Sequence, residues 1–200
     1  DCLEKLQSSH HTLFLVIGNN SLMPSRTDIL ENIYNRLLSP RVPVLVTALR
    51  PDKKPNTMVA SWHSPISIRP PILAVAISPL RYTHALILAA SDFTVCIPSK
   101  SMLKQVEKAG TVSGREADKS AFFSYSPAKK VKAPLVQGSL GAIECTLNRA
   151  LKMGDHSVIF GNVIHWTSDK MNEVWEVSPL LHLGSNHFTE SPQLNKNIKQ

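Results

Sequence analysis

A chain of 200 residues with 42% hydrophobic and 18% charged side chains carries enough apolar material for one packed domain and too little charge for global disorder. Its longest apolar runs, "TLFLVI" and "ILAVAI", are far shorter than a bilayer-spanning helix requires, so no membrane association is expected. The formal charge of +7 favours anionic partners, yet the lysines are spread through "DKKP", "PAKKVKAP" and "NKNIKQ" with few aromatics among them, which reads as a solvated surface rather than a nucleic-acid groove.

Residues 1–25 look unlike the rest: "HTLFLVI" is strand-like and "GNNSLMPS" is a turn or linker. They are expected to form an N-terminal extension, ahead of a domain over residues 26–190 and a polar, fraying tail over 191–200. "SRTDILENIYNRLL" offers a capping residue and apolar positions at Ile29, Ile33, Leu37 and Leu38, the spacing of an amphipathic helix. Strands are then predicted over Val42–Leu49, Thr57–Ser64 and Ile72–Ile77, with Pro70-Pro71 fixing the turn before the last of these. Thr83–Ala90 reads as a short helix and "DFTVCIP" as a strand ending at Pro98. "SKSMLKQVEKAGTVSG" has helical spacing at Met102, Leu103 and Val106 and a glycine stop at Gly110; "READKSAFF" is a further helical turn. Gly138–Leu151 and His156–Thr167 are the last long strands. Many strands joined mostly by turns make the chain mainly β with inserted helices, an antiparallel barrel or sandwich.

The common catalytic signatures are missing. No GxGxxG opens a helix after a strand, and neither a P-loop nor a GxSxG elbow occurs. His63, His84, His156, His165, His182 and His187 show no metal-ligand spacing, and the adjacent His10 and His11 would diverge in a strand, so no metal site is expected. Cys2, Cys96 and Cys145 are odd in number and without CxxC spacing, and the start, "DCLEKLQSSHH", lacks the basic flank of a secretory signal. A reducing, cytoplasmic setting is therefore expected.

One stretch invites a functional reading. "PNTMVASWHSPIS" (Pro55–Ser67), "PPILAVAIS" (Pro70–Ser78) and "RYTHALI" (Arg81–Ile87) follow "VLVTA" (Val44–Ala48) and precede "FTVCIPS" (Phe93–Ser99). "AGTVSGREADK" (Ala109–Lys119), "KVKAPLVQGSLGAIEC" (Lys130–Cys145) and "GDHSVIFGNV" (Gly154–Val163) continue the series, and "LLHLG" (Leu180–Gly184) closes it. In this order the motifs closely resemble the flavin reductase-like, FMN-binding split-barrel family, especially its flavoredoxin-like branch. The resemblance covers about residues 37–167 and leaves out 1–25 and 190–200.

That resemblance implies a Greek-key antiparallel split β-barrel, a homodimer, FMN held near the subunit boundary, and NAD(P)H laid over the exposed flavin face. The residues fit such a ligand. The segment Asn56, Met58, Val59, Ala60, Ser61 and Trp62 places small Ala60 and Ser61 between larger neighbours, so main chain approaches a flat ring closely, with Asn56 and Ser61 at its polar rim. By itself "MVASW" is equally a buried strand. Ser78, Arg81, Tyr82 and Thr83 surround the expected helix start, where free N–H groups and the helix dipole attract anions and an arginine forks onto phosphate oxygens. In the plainer reading Thr83 is an ordinary N-cap and Arg81 a solvated charge; the resemblance favours the phosphate cradle. Ser113, Gly114, Arg115 and Lys119 either border the flavin or second substrate as a lid, or only cap a helix. His156 either faces the flavin and places the nicotinamide, as the resemblance implies, or pairs with Asp155 in a turn.

Three functions compete on these grounds. The first is an NAD(P)H-dependent flavin reductase passing a hydride to flavin N5, with oxygen, iron, a second flavin or a redox protein as final acceptor. The second is a flavoredoxin-like electron carrier without nicotinamide activity. The third is a non-enzymatic split-barrel binding module.

Overall fold

A computed structural model describes residues 34–172 and 175–190. Two units are distinguished, Asp1–Leu37 and Leu38–Gln200. The expected extension, the tail and most of the first helix lie outside the described residues; where that helix should end, Tyr34–Leu38 form a 3-10 stretch.

Eleven strands and two α-helices follow: β1 (Val44–Leu49), β2 (Pro55–Ala60), β3 (His63–Ile68), β4 (Pro71–Ile77), α1 (Tyr82–Ala90), β5 (Asp92–Ile97), α2 (Leu103–Thr111), β6 (Tyr125–Ser126), β7 (Leu135–Val136), β8 (Gly141–Met153), β9 (His156–Ser168), β10 (Leu180–Gly184) and β11 (His187–Glu190). Seven of them form one antiparallel sheet in the order β2-β1-β5-β8-β9-β4-β3. β2 and β3 are consecutive in the chain but lie at opposite edges of this sheet. The corner that joins them, Ser61-Trp62, reaches β4, where the Ala76 amide donates to the Trp62 carbonyl at 2.8 Å. The sheet therefore curls until its edges approach, giving the Greek-key split barrel expected from the sequence.

The strands read as apolar because both of their faces are covered. Val44, Val46 and Ala48 of β1 join Val75, Ile77, Phe93 and Ile159 in an inner core closed by Leu86 and Ile87 of α1. Leu45 points the other way, to a second core with Cys96, Met102, Phe123 and Val106 of α2. Each fully buried aliphatic side chain here is worth about 1.5–3 kcal/mol of transfer free energy. Gly161 of β9 is required by the inner core: a Cβ there would lie 2.6 Å from Phe93 Cζ and 2.9 Å from Cys145 Cβ.

Several boundaries differ from expectation. Thr57–Ser64 is not one strand, because the Ser61-Trp62 corner divides it between β2 and β3. Gly110 does not stop α2, which continues to Thr111, where the threonine hydroxyl contacts the carbonyls of Glu107 (3.3 Å) and Lys108 (3.1 Å). "READKSAFF" does contain a helical turn, a 3-10 stretch at Ser120–Phe122. The basic segment "PAKKVKAP" is held by its backbone: the amides of Lys129 and Lys130 donate to buried Glu144, and those of Lys132 and Ala133 to buried Asp92. Its lysine side chains stay exposed, the solvated surface the sequence suggested.

Candidate functional site

A cavity of about 730 Å³ opens where the ends of β2 and β4, the start of α1, the end of α2, the start of β9 and the β10–β11 hairpin converge. Asn56, Met58, Val59, Ala60, Ser61 and Trp62 line it from β2 and the following corner, and Ser78, Arg81, Tyr82 and Thr83 from the turn into α1. Ser113, Gly114, Lys119 and His156 complete the set read from sequence; Arg115 alone of those candidates is not on its wall.

The entry into α1 is a tight turn in which the Arg81 amide donates to the Ser78 carbonyl at 2.9 Å. Arg81, in extended conformation, is the capping residue; no side chain caps the helix, and its first turn carries no acid. Thr83 is consequently not the N-cap. It is the second helical residue, buried, with Oγ1 accepting a 2.7 Å hydrogen bond from Asn56 Nδ2. Its own hydroxyl proton stays available to a ligand. The turn thus presents a guanidinium, two hydroxyls and the positive end of a helix dipole on one side of the cavity.

The loop after α2 closes over this turn. A Cβ on Gly114 would lie 1.9 Å from Asn56 Oδ1 and 3.3 Å from Tyr82 Cδ1, so only a bare backbone fits there. Arg115 is drawn off the cavity by stacking, its guanidinium 5.2 Å from the centre of the Tyr82 ring. Asp118 ties the loop to the β1–β2 turn through Lys54 (3.0 Å) and Arg50 (3.4 Å). Hydrogen bonds from Ser120, then from Lys54, hold its carboxyl well below the usual carboxylate range. Lys119, next along, is only 4% exposed; its Nζ donates to the carbonyls of Ala109 (2.7 Å) and Val112 (3.1 Å) at the end of α2. Burial, assisted by the Arg81 charge, lowers its pKa to about 8. The residue is a buried cation and not a flap on a lid.

Another part of the wall is aromatic and polar. Trp62 and His156 pack ring to ring, centroids 4.8 Å apart and planes tilted 31°. His156 Nδ1 also lies 2.8 Å from Asp155 Oδ1, so the pairing in the turn and the position on the cavity coexist. That contact holds the Asp155 carboxyl below its ordinary value. Ser61 Oγ is 2.9 Å from His182 Nδ1, while His182 Nε2 is 2.8 Å from the Ser185 carbonyl. A carbonyl only accepts, so Nε2 carries the proton and Nδ1 of the neutral ring accepts from the Ser61 hydroxyl. Ser61 therefore fastens the β10–β11 hairpin, although its lone pairs remain free for a ligand.

Sequence reasoning missed the hairpin as a wall. His182, Ser185, Asn186 and Phe188 all line the cavity, as do Glu107, Gly110 and Val112 around the end of α2. The "LLHLG" motif located β10, but nothing in it announced that β11 would turn back over the corner after β2. Among the described residues no group of three or more His, Cys, Asp or Glu side chains could hold a metal, and no helix is long and apolar enough to cross a membrane.

Comparison with known proteins gives consistent results. A family model described as a flavin reductase like domain matches residues 36–190. An FMN-binding protein from Thermus thermophilus, solved with bound 1-cyclohex-2-enone, superposes with a TM-score of 0.71 at 28% identity, covering 76% of this chain and 86% of that one. Flavoredoxin from Desulfovibrio vulgaris gives 0.70 at 25% identity, covering 80% and 91%. A high molecular weight rubredoxin from Moorella thermoacetica is 31% identical over 120 residues, 60% of this chain and 52% of that protein. Across three uncharacterised relatives at 31–39% identity, the chain spans 59–76% of the relative's own length.

Proposed function

The chain belongs to the flavin reductase-like family, and from that premise we propose that it binds FMN in this cavity and acts as an NAD(P)H-dependent flavin reductase. One observation carries the reading: the start of α1, uncapped by any side chain and flanked by Arg81, opens on a cavity that the Trp62–His156 ring pair also lines. A ligand with an anionic end and a flat aromatic end suits that polarity. The cavity volume lies inside the usual range for cofactor-sized ligands.

When bound, the flavin would supply the redox chemistry, a hydride transfer between nicotinamide and ring. The chain's own residues bind and orient. Arg81 would fork onto phosphate oxygens, with the Thr83 hydroxyl, the first N–H groups of α1 and the Ser78 hydroxyl as further donors. Ala60 and Ser61 keep the wall after β2 thin enough for main chain to meet a ring edge. Trp62 and His156 form the surface against which a nicotinamide is laid. No nucleophile or general base is needed, and none is proposed.

A second reading, an electron carrier without nicotinamide activity, draws support from the likeness to a flavoredoxin and from the relative named as a rubredoxin, which suggests a redox protein as partner. We also propose a homodimer. Ile66 and Ile68 on β3 and Ile164 and Trp166 on β9 are 42–85% exposed, an apolar outer surface suited to a second copy.

Anaerobic mixing of FMN-loaded protein with NADH or NADPH, followed at the flavin absorbance, separates the readings. Bleaching within seconds is expected of a reductase. Stable yellow protein that bleaches only with a reduced protein partner identifies a carrier, and protein that stays colourless after FMN addition leaves a binding module.

A further inference from the structure

Among the described residues no carboxylate pairs with the buried ammonium of Lys119. Of the acids nearest in the chain, Asp118 is paired with Lys54 and Arg50, and Glu116 and, on α2, Glu107 are exposed. The strongest charge acting on Lys119 is another cation, Arg81, and both line the same cavity. A desolvated cation facing a second cation is unfavourable unless an anion joins them.

The hydrogen bonds at Nζ leave one position for such an anion. A lysine nitrogen has four tetrahedral directions: one is the bond to Cε, and two carry protons to the carbonyls of Ala109 and Val112. One direction remains, holding a proton when the amine is charged and a lone pair when it is neutral. We propose that Lys119 completes the phosphate site with that fourth position, and that an arriving phosphate dianion is matched by a proton taken up from solvent onto the amine. This rests on the phosphate-cradle reading of the cavity and extends it, because the selective term for FMN over riboflavin becomes a titrating group as well as a fixed arginine. In the alternative, Lys119 merely closes the carbonyl end of α2, and its loss lowers stability without regard to the ligand's phosphate.

Ligand-free Lys119 titrates at about 8. A bound dianion favours the ammonium and returns it toward the ordinary lysine value near 10.4. At pH 9 the free amine is thus about nine-tenths neutral and the complexed one almost wholly charged, so binding takes up roughly 0.9 proton. FMN affinity should fall about five- to sevenfold per pH unit between pH 8 and 10. The phosphate itself is already dianionic there. Other ionisable groups on the cavity are Arg81 and Tyr82 at the start of α1, Glu107 on α2, His156 on β9 and His182 on β10, with Arg115, Glu116 and Asp118 preceding Lys119 on its own loop. Variants at Lys119 assign the proton among them.

The test is isothermal titration of the whole protein with FMN and with riboflavin at pH 9, in two buffers of different ionisation enthalpy. Wild type should take up close to one proton with FMN and none with riboflavin. Lys119→Met should abolish the uptake and weaken FMN at pH 7 by about ten- to a hundredfold, leaving riboflavin unchanged. Lys119→Arg, which keeps the charge, should retain most of the FMN affinity without uptake. FMN binding to wild type with no net proton, or equal weakening of both flavins in Lys119→Met, overturns the inference and leaves the flavin reading standing. If neither flavin binds wild type, the flavin reading fails and takes this inference with it.

Discussion

Gly114→Ala isolates one contact that shapes the cavity. The backbone of Gly114 lies outside the left-handed region, so an alanine there is not strained by its dihedrals. What it meets is Asn56: the new methyl would sit 1.9 Å from Oδ1 and 3.0 Å from Cγ. Carbon–heavy-atom contacts settle near 3.5 Å, so one side must retreat by about 1.5 Å. Asn56 is 2% exposed and holds Thr83 Oγ1 at 2.7 Å, so its retreat breaks a buried hydrogen bond, while retreat of the loop uncovers Lys119. Either response costs about 1–3 kcal/mol. In a domain of this size that lowers Tm by roughly 2–12 °C. The assay is thermal unfolding of Gly114→Ala, Asn56→Ala and the double variant. With Asn56 truncated, the contacts to Oδ1 and Cγ are gone and Tyr82 Cδ1, at 3.3 Å, is the next neighbour, so Gly114→Ala should then cost much less. Equal costs in the two backgrounds, or an unperturbed single variant, would refute the clash.

Arg81→Ala should weaken FMN by about 1.5–3 kcal/mol, the worth of a charge-assisted hydrogen bond, and leave riboflavin almost unaffected in the same fluorescence titration; equal losses would remove Arg81 from the phosphate. His156→Ala should slow NAD(P)H-driven bleaching in stopped flow more than it weakens FMN, and an unchanged rate would take His156 out of the nicotinamide's path. Gly161→Ala drives a methyl into Phe93 and Cys145 and should destabilise by about 1–3 kcal/mol or more in chemical denaturation, without a specific effect on flavin. Lys119 gives the ligand-free protein a pH dependence of definite sign. Its folded pKa is lowered, so the native state binds fewer protons than the unfolded chain between about 8 and the ordinary lysine value. Its contribution to stability therefore rises with pH through that window, and Lys119→Met should lack the rise.

The strands of the inner barrel were legible because a two-sided core leaves little polarity to disguise them: β1, β4 and β5 read as near-continuous apolar runs. The corner at Ser61-Trp62 was not, since "ASWHS" keeps the composition of a strand while the chain crosses from one sheet edge to the other. Thr83 looked like an N-cap because capping rules are local. Its hydroxyl instead serves Asn56, 27 positions earlier in the chain, a pairing only the fold creates. The burial of Lys119 was hidden for the same reason. A lysine in "SGREADK" has every local attribute of a solvated residue, and only the packing of α2 against its loop buries it. Gly114 was singled out from its motif, but the need for a glycine lies in the approach of Asn56, which no spacing reveals.

Asn56 explains why this cavity holds its form with few polar contacts. One amide group belongs to β2, donates to the first turn of α1 and packs its oxygen against the loop that carries Lys119. Three walls are thus referenced to a single side chain that is itself almost fully buried. A site so tied loses little freedom when a ligand arrives, and the saving goes into affinity. Around the start of α1 the polar groups are donors and cations: Arg81, Lys119, the hydroxyl of Thr83 and the open helix start. None of these does acid–base or nucleophilic work on a substrate by itself. All of them act on charge already present in a ligand, which is the contribution a protein makes when a cofactor performs the reaction.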